Sequence, residues 1–264
     1  MEVPPGEERG AERAGTPVAL RGREVSSPPV ESFLHAVEAP RIAWATADET
    51  VVAGGAAETI LADGPDRITA VRDAADRLLA AVAVLDDVPP AARPRLFGGL
   101  AFLQDHDRET NGPWTGFPGA CFVLPAVQLT LTDGEAWLTA MATGEGADAA
   151  AADRLETWAD RLETLDAATN GRPPGIVDRR PTTSRPAWNA QVEEAVASVR
   201  AGRLRKVVLA QALAVDLAGD LDVPATLSRL GETYPDCYRF MFQPPGAGTF
   251  FGATPERLVE LDGR

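Results

Sequence analysis

Of the 25 basic residues in this 264-residue chain, one is lysine, Lys206, and the rest are arginine. Arginine keeps its proton in a protein, whereas a lysine amine can lose its own when it is desolvated or crowded by positive charge. A lone lysine is therefore a candidate for a base rather than for charge alone. It opens the run Lys206-Val207-Val208-Leu209-Ala210-Gln211. A second candidate is Glu256, in Phe251-Gly252-Ala253-Thr254-Pro255-Glu256-Arg257-Leu258. Glycine there admits close approach, proline stiffens the chain, and a carboxyl held just beyond can act as a positioned acid. Each residue also has an explanation without chemistry: codon bias for the lysine, an exposed strand end for the glutamate.

The elements that must position them follow from periodicity. Residues 1–30 are rich in Pro, Gly, Glu and Arg and read as a disordered tail. Ile42–Thr46 and Thr50–Ala53 read as strands. Asp66 starts a helix with Ile68, Val71, Ala75, Leu78, Leu79 and Val82 at helical spacing, ended at Asp86–Pro90. A strand over Arg95–Phe102 contains Gly98-Gly99, a sign of a bulge or of close backbone approach. Cys121–Leu131 and Glu135–Ala142 are strands joined by an Asp133-Gly134 hairpin turn. Ala147–Leu165 is a helix, and Asn170–Pro181 reads as a linker. Ser184 caps a helix that carries Pro186 in its first turn, with Trp188, Val192, Val196 and Val199 as its apolar stripe and Gly202 at its close. Lys206–Leu217 reads as one long strand and Val223–Thr233 as a helix. Tyr238–Gln243, Thr249–Gly252 and Arg257–Leu261 read as sheet. The domain organisation expected is a tail over 1–30, an α/β region over 31–168, a linker over 169–185 and a catalytic region from 186 to 264. The fold class is α+β with mostly antiparallel sheets, in a two-layer, sandwich-like core flanked by helices.

Bulk properties bound the function. The net charge is −14, which argues against a nucleic-acid groove or a polybasic membrane patch. No apolar run is long enough to span a bilayer and the first residues lack a signal-peptide core, so a cytoplasmic location is expected. Cys121 and Cys237 have no metal-type spacing and read as buried thiols. The scattered acid suggests a halophile's protein. The sequence stops at Asp262-Gly263-Arg264, one residue past an apparent hairpin turn, and the natural protein is expected to continue.

The two stretches, in this order and spacing, resemble those of the chorismate-binding enzymes, the family of isochorismate, salicylate, anthranilate and aminodeoxychorismate synthases. A third piece agrees: Pro94-Arg95-Leu96-Phe97-Gly98-Gly99-Leu100-Ala101-Phe102, then Trp114, Phe117-Pro118 and Phe122-Val123-Leu124-Pro125, similar to the N-terminal region of the menaquinone-pathway members. The resemblance covers roughly residues 40–264. It implies the family's fold and chorismate as substrate. Water-adding members carry lysine at the place of Lys206, and ammonia-using members typically carry glutamine. The physical reason is that water needs a base to become a nucleophile. A lysine titrates ordinarily near ~10.4, so burial or nearby positive charge must depress it. The resemblance thus marks Lys206 as base and Glu256 as acid, in isochorismate synthesis. It also implies Mg²⁺, held by glutamates expected beyond residue 264; no metal ligand and no substrate-binding residue is assigned here. Gln211 departs from the pattern, since water-adding members usually carry arginine there. Salicylate synthesis and a non-catalytic, truncated piece are the alternative readings, and the chain alone is expected to be inactive.

Overall fold

The computed structural model describes residues 16–26, 29–106, 109, 112–167 and 172–261. The chain divides into two units, one of Met1–Thr169 with Pro224–Arg264 and one of Asn170–Val223.

The first unit is organised around the turn at Asp133 and Gly134, whose φ angles are 52° and 81°. Two successive left-handed residues match the twist of the strands they join. These are β6 (Ala120–Thr132) and β7 (Glu135–Thr143). Around this hairpin lie β1 (Val18–Glu24), β2 (Arg41–Ala45), β3 (Glu49–Ala62), β4 (Val82–Val84), β5 (Phe97–Leu100), β10 (Tyr238–Gln243) and β11 (Phe250–Thr254). They form one nine-stranded sheet in the order β11-β10-β2-β3-β6-β7-β1-β4, with β5 also paired to β6. Only β1 and β4 run parallel. The architecture is α+β with mostly antiparallel sheet, as the sequence suggests.

Alternation along the strands sends side chains to both faces. Ala19 and Ala142 pack against Ala147 and Ala151 of α3 (Ala147–Glu163). On the opposite face Val18, Leu20, Leu124 and Met141 pack with Val88, Ala92 and Leu78, the last from α2 (Arg67–Ala80). Phe33, on α1 (Val30–Ala36), meets Trp158 of α3 with ring centroids 5.2 Å apart. Leu20, Phe33, Leu124, Leu129 and Leu138 are fully buried. Each such side chain contributes about 1.5–3 kcal/mol. Gly98 does what a strand glycine suggests: a Cβ there would lie 1.9 Å from the Cys121 carbonyl oxygen, whereas one at Gly99 would meet nothing within 4 Å.

Several boundaries differ from those read in the sequence. The expected tail over 1–30 contains β1, which pairs with β7 along its whole length. Its Val18-Ala19-Leu20 start is buried, but arginines, Gly22 and neighbouring prolines hide the apolar alternation. Residues 1–15 of that tail lie outside the described residues. α2 ends at Ala80, and Val82 turns into β4 because β1 offers it a parallel edge. Arg95–Phe102 contracts to Phe97–Leu100, and Arg257–Leu261 is not strand. The apparent final turn at Asp262-Gly263 lies outside the described residues. Residues 224–264 join the first unit through α5 (Val223–Thr233), β10 and β11, rather than forming one region with 186–223.

The second unit is small. The expected linker contains β8 (Ile176–Pro181), which pairs antiparallel with β9 (Leu213–Leu217). The long strand expected over Lys206–Leu217 is limited to these last five residues. A strand exists where it has a partner, and β8 reaches no further. Arg180 bridges the pair, donating to Asp216 at 2.7 and 3.0 Å; this guanidinium holds the Asp216 carboxyl below its ordinary range. α4 (Arg185–Arg200) begins as read: Ser184 Oγ accepts from the Ala187 N–H at 3.4 Å. Gly202, with φ +72°, closes it. No residue of α4, β8 or β9 is buried, so the stripe of Val192, Val196 and Val199 is open to solvent within its unit.

Candidate active site

Glu256 stands just past β11. That strand pairs with β10 alone among the described residues, from Tyr238 opposite Thr254 to Phe242 opposite Phe250. Gly252 lies beneath the Phe240 ring: a Cβ there would be 3.1 Å from Phe240 Cζ. The strand stops at Thr254, because Pro255 has no N–H to continue the ladder. The Thr254 hydroxyl then accepts the Glu256 N–H at 3.0 Å, a local turn that fixes where the glutamate leaves the sheet. The Glu256 side chain is exposed. The next charge, Arg257, is taken up by Glu260, so it does not neutralise Glu256.

Lys206 belongs to the second unit, in the segment without regular secondary structure between the close of α4 and β9. The end of α4 anchors the approach. Arg203 and Leu204 donate their N–H groups to the Ser198 carbonyl at 3.0 and 3.3 Å, and the Arg203 guanidinium reaches Ser198 Oγ at 3.2 Å. Lys206, with Arg205 before it and Gln211 after it, is exposed in this unit. The two candidates thus lie in different units, each held by its own local structure.

Other polar groups, unnoticed in the sequence, organise the surroundings of the Glu256 strand. Arg67 is buried, and its guanidinium donates to the carbonyls of Gly64 at 3.1 Å and Ala101 at 2.9 Å. Asp63 Oδ1 accepts the Gly119 N–H at 2.8 Å. Both bind backbone, which leaves no residue pattern to read. Arg95, within the glycine-bearing third stretch, makes a two-pronged ion pair with Glu49 at 2.6 and 2.8 Å. Cys121 and Cys237 are free thiols, and burial pushes the Cys121 thiol up, away from the reactive thiolate. A cavity of about 240 Å³ between two hairpin tips is lined by Asp48, Glu49, Asp133 and Glu135 among others, and by neither candidate. Among the described residues no group of three or more His, Cys, Asp or Glu could hold a metal ion, so these residues do not fit the Mg²⁺ that the resemblance implies. No helix of the described residues is long and apolar enough to cross a membrane.

A large, mostly antiparallel sheet with a strand leading to a Thr-Pro-Glu turn, and a separate unit with a lysine between β8 and β9, make this an α+β protein. The chain belongs to the chorismate binding enzyme family, whose pattern it matches over residues 22–264. It is 29% identical over 176 residues to "Isochorismate synthase MenF" of Bacillus subtilis, covering 66% of this chain and 36% of that protein. It is 30% identical over 228 residues to "Salicylate biosynthesis isochorismate synthase" of Pseudomonas aeruginosa, covering 85% and 46%. The solved structure of MenF, the menaquinone-specific isochorismate synthase from Escherichia coli, superposes with a TM-score of 0.64 at 21% identity, over 94% of this chain and 53% of that one. That likeness shows the fold. The chain spans less than half the length of the two curated relatives.

Proposed function

We propose that the protein is an isochorismate synthase, converting chorismate to isochorismate for menaquinone synthesis. The observation that carries this reading is the only lysine of the chain, Lys206, in a Lys-Val-Val-Leu-Ala stretch that resembles the one where water-adding members of the family carry theirs. The names of the Bacillus and Pseudomonas relatives support the same reaction.

In this proposal Lys206, as the neutral amine, takes a proton from the water that attacks C2 of the ring. The ring double bonds shift, and the hydroxyl at C4 leaves as water after taking a proton from Glu256. Each proton transfer contributes roughly 10²- to 10⁴-fold. Mg²⁺, when bound, supplies a positive charge for substrate carboxylates, and it is given no ligand among the described residues. The proposal includes a cytoplasmic location. It also includes a halophilic character: the melting temperature rises from low salt to molar KCl, and no rise counts against it.

The reaction is tested by giving the complete protein chorismate and Mg²⁺ and identifying the product by mass spectrometry and NMR. Isochorismate is expected. Salicylate without an added lyase makes it a salicylate synthase instead, and anthranilate on adding ammonia places it among the ammonia-using members. A complete protein that leaves chorismate untouched overturns the proposal.

A further inference from the structure

We propose that Trp114 is a positioning residue for Glu256, acting through an aromatic brace on strand β11. The inference rests on the acid role proposed for Glu256.

The brace begins at a closed base. The Ala101 N–H donates to the Gly119 carbonyl at 2.7 Å, bringing together the two ends of the segment that joins β5 to β6. Buried Arg67 holds one end through the Ala101 carbonyl at 2.9 Å, and Asp63 holds the other through the Gly119 N–H at 2.8 Å. Between these anchors, residues 112–117 fold on themselves. The Thr115 N–H donates to the Gly112 carbonyl at 3.2 Å and the Phe117 N–H to the Trp114 carbonyl at 3.0 Å. The Phe117 carbonyl also meets His106 Nε2 at 2.9 Å.

This turn carries the Trp114 ring onto β11. Its centroid lies 5.6 Å from Phe117 and 5.1 Å from Phe250, with interplanar angles of 83° and 62°. Phe250 in turn lies 5.1 Å from Phe240. Such tilted and edge-on pairs are attractive beyond the area they bury. The row ends where Phe240 covers Gly252, two residues before the Thr254 hydroxyl that takes the Glu256 N–H. A second contact runs alongside. Gly116, at φ +83°, sits so that a Cβ would be 3.1 Å from Ala247 Cβ, in the turn between β10 and β11.

The row has a functional meaning because of where β11 lies. Among the described residues its strand partner is β10, and it leads directly into the Thr254 turn that carries Glu256. A general acid misplaced by an ångström loses much of its rate contribution. Trp114 is 49% exposed, more than core packing alone calls for, and one of its two ring contacts, Phe250, lies on the strand that leads to Glu256.

The test uses the complete protein and two readouts. Trp114→Ala is expected to speed amide hydrogen exchange over residues 250–256 about tenfold, with exchange in β6 and β7 unchanged. It is expected to lower kcat with chorismate by roughly 10- to 100-fold while KM stays within about twofold. Trp114→Phe restores most of both. Phe250→Ala reproduces the defect, and the double variant adds little to either single change. Unchanged exchange over 250–256 in Trp114→Ala overturns the brace. Faster exchange with kcat intact overturns the positioning role, as does a fall in melting temperature with no change in kcat. If the unaltered protein does not turn over chorismate, the proposed function fails while the exchange arm still decides the brace.

Discussion

The two units of this chain bear the two proposed catalytic residues on contrasting ground. The unit that carries Glu256 has a nine-stranded sheet with helices packed on both faces and large side chains withdrawn from water. The unit that carries Lys206 has a two-stranded sheet and a well-capped helix, and none of their residues is buried. Charge divides the same way. Residues 170–223 hold eight basic and six acidic side chains, and the rest of the chain holds 17 basic and 33 acidic. Local signals suffice to form α4, because its Ser184 cap and closing Gly202 act over a few residues, whereas the β8–β9 pair and its Arg180–Asp216 bridge join segments 36 residues apart. Packing supplies the stability only where an apolar face finds a partner. The proposed acid thus stands just past a strand of a packed sheet, while the proposed base stands in an exposed segment of the smaller unit.

The contrast can be broken most severely at the two residues themselves. In the complete protein Lys206→Gln is expected to lower chorismate hydration by at least roughly 10²-fold with the circular dichroism spectrum unchanged; water addition at the original rate removes Lys206 as the base. Glu256→Gln is expected to cost somewhere from about 10² to 10⁴ in kcat. A loss below about tenfold puts the acid elsewhere.

Smaller effects sharpen the difference in packing. Gly98→Ala drives a Cβ into the β6 backbone and is expected to destabilise the first unit by about 1–3 kcal/mol. Gly99→Ala, next to it but in open space, leaves denaturant unfolding unchanged. In the second unit the lowered Asp216 carboxyl sets the sign of a pH effect. Its ion pair with Arg180 favours the folded hairpin above the ordinary carboxylate range, and that contribution is lost as pH falls through the lowered value. Faster exchange of the β9 amides at about pH 3 than at pH 6, corrected for intrinsic rates, is the expected outcome, and it is small because the pair is exposed. Smallest of all, Val196→Asp on the open face of α4 is expected to change the stability of this 264-residue chain by less than about 0.5 kcal/mol. A larger loss means the stripe is covered.

Much of this architecture can be read from residue order, and the exceptions share a cause. The Asp133-Gly134 turn, the Ser184 cap and the Gly202 close are set by a few adjacent residues, so they stand out in the sequence. β1 and β8 do not, because each is a strand only by virtue of a partner far along the chain, and charge, proline and glycine obscure their own pattern. The same logic shortens Lys206–Leu217, whose first residues have β-forming side chains but no strand partner among the described residues. At the candidate site, Lys206 and Glu256 are legible as residue types in motifs. Arg67 and Asp63 are not, since they serve backbone groups. Trp114 is visible in the third stretch, yet its target, Phe250, lies 136 residues on.

The central claim is that a solvent molecule, activated by Lys206, becomes the new hydroxyl at C2. The most direct measurement runs the complete protein with chorismate in ¹⁸O-labelled water and locates the label in isochorismate by mass spectrometry. The account predicts one ¹⁸O at C2 with the unaltered protein and almost no labelled product with Lys206→Gln. Isochorismate formed without label means the hydroxyl moved within the substrate, and that result contradicts a base acting on water.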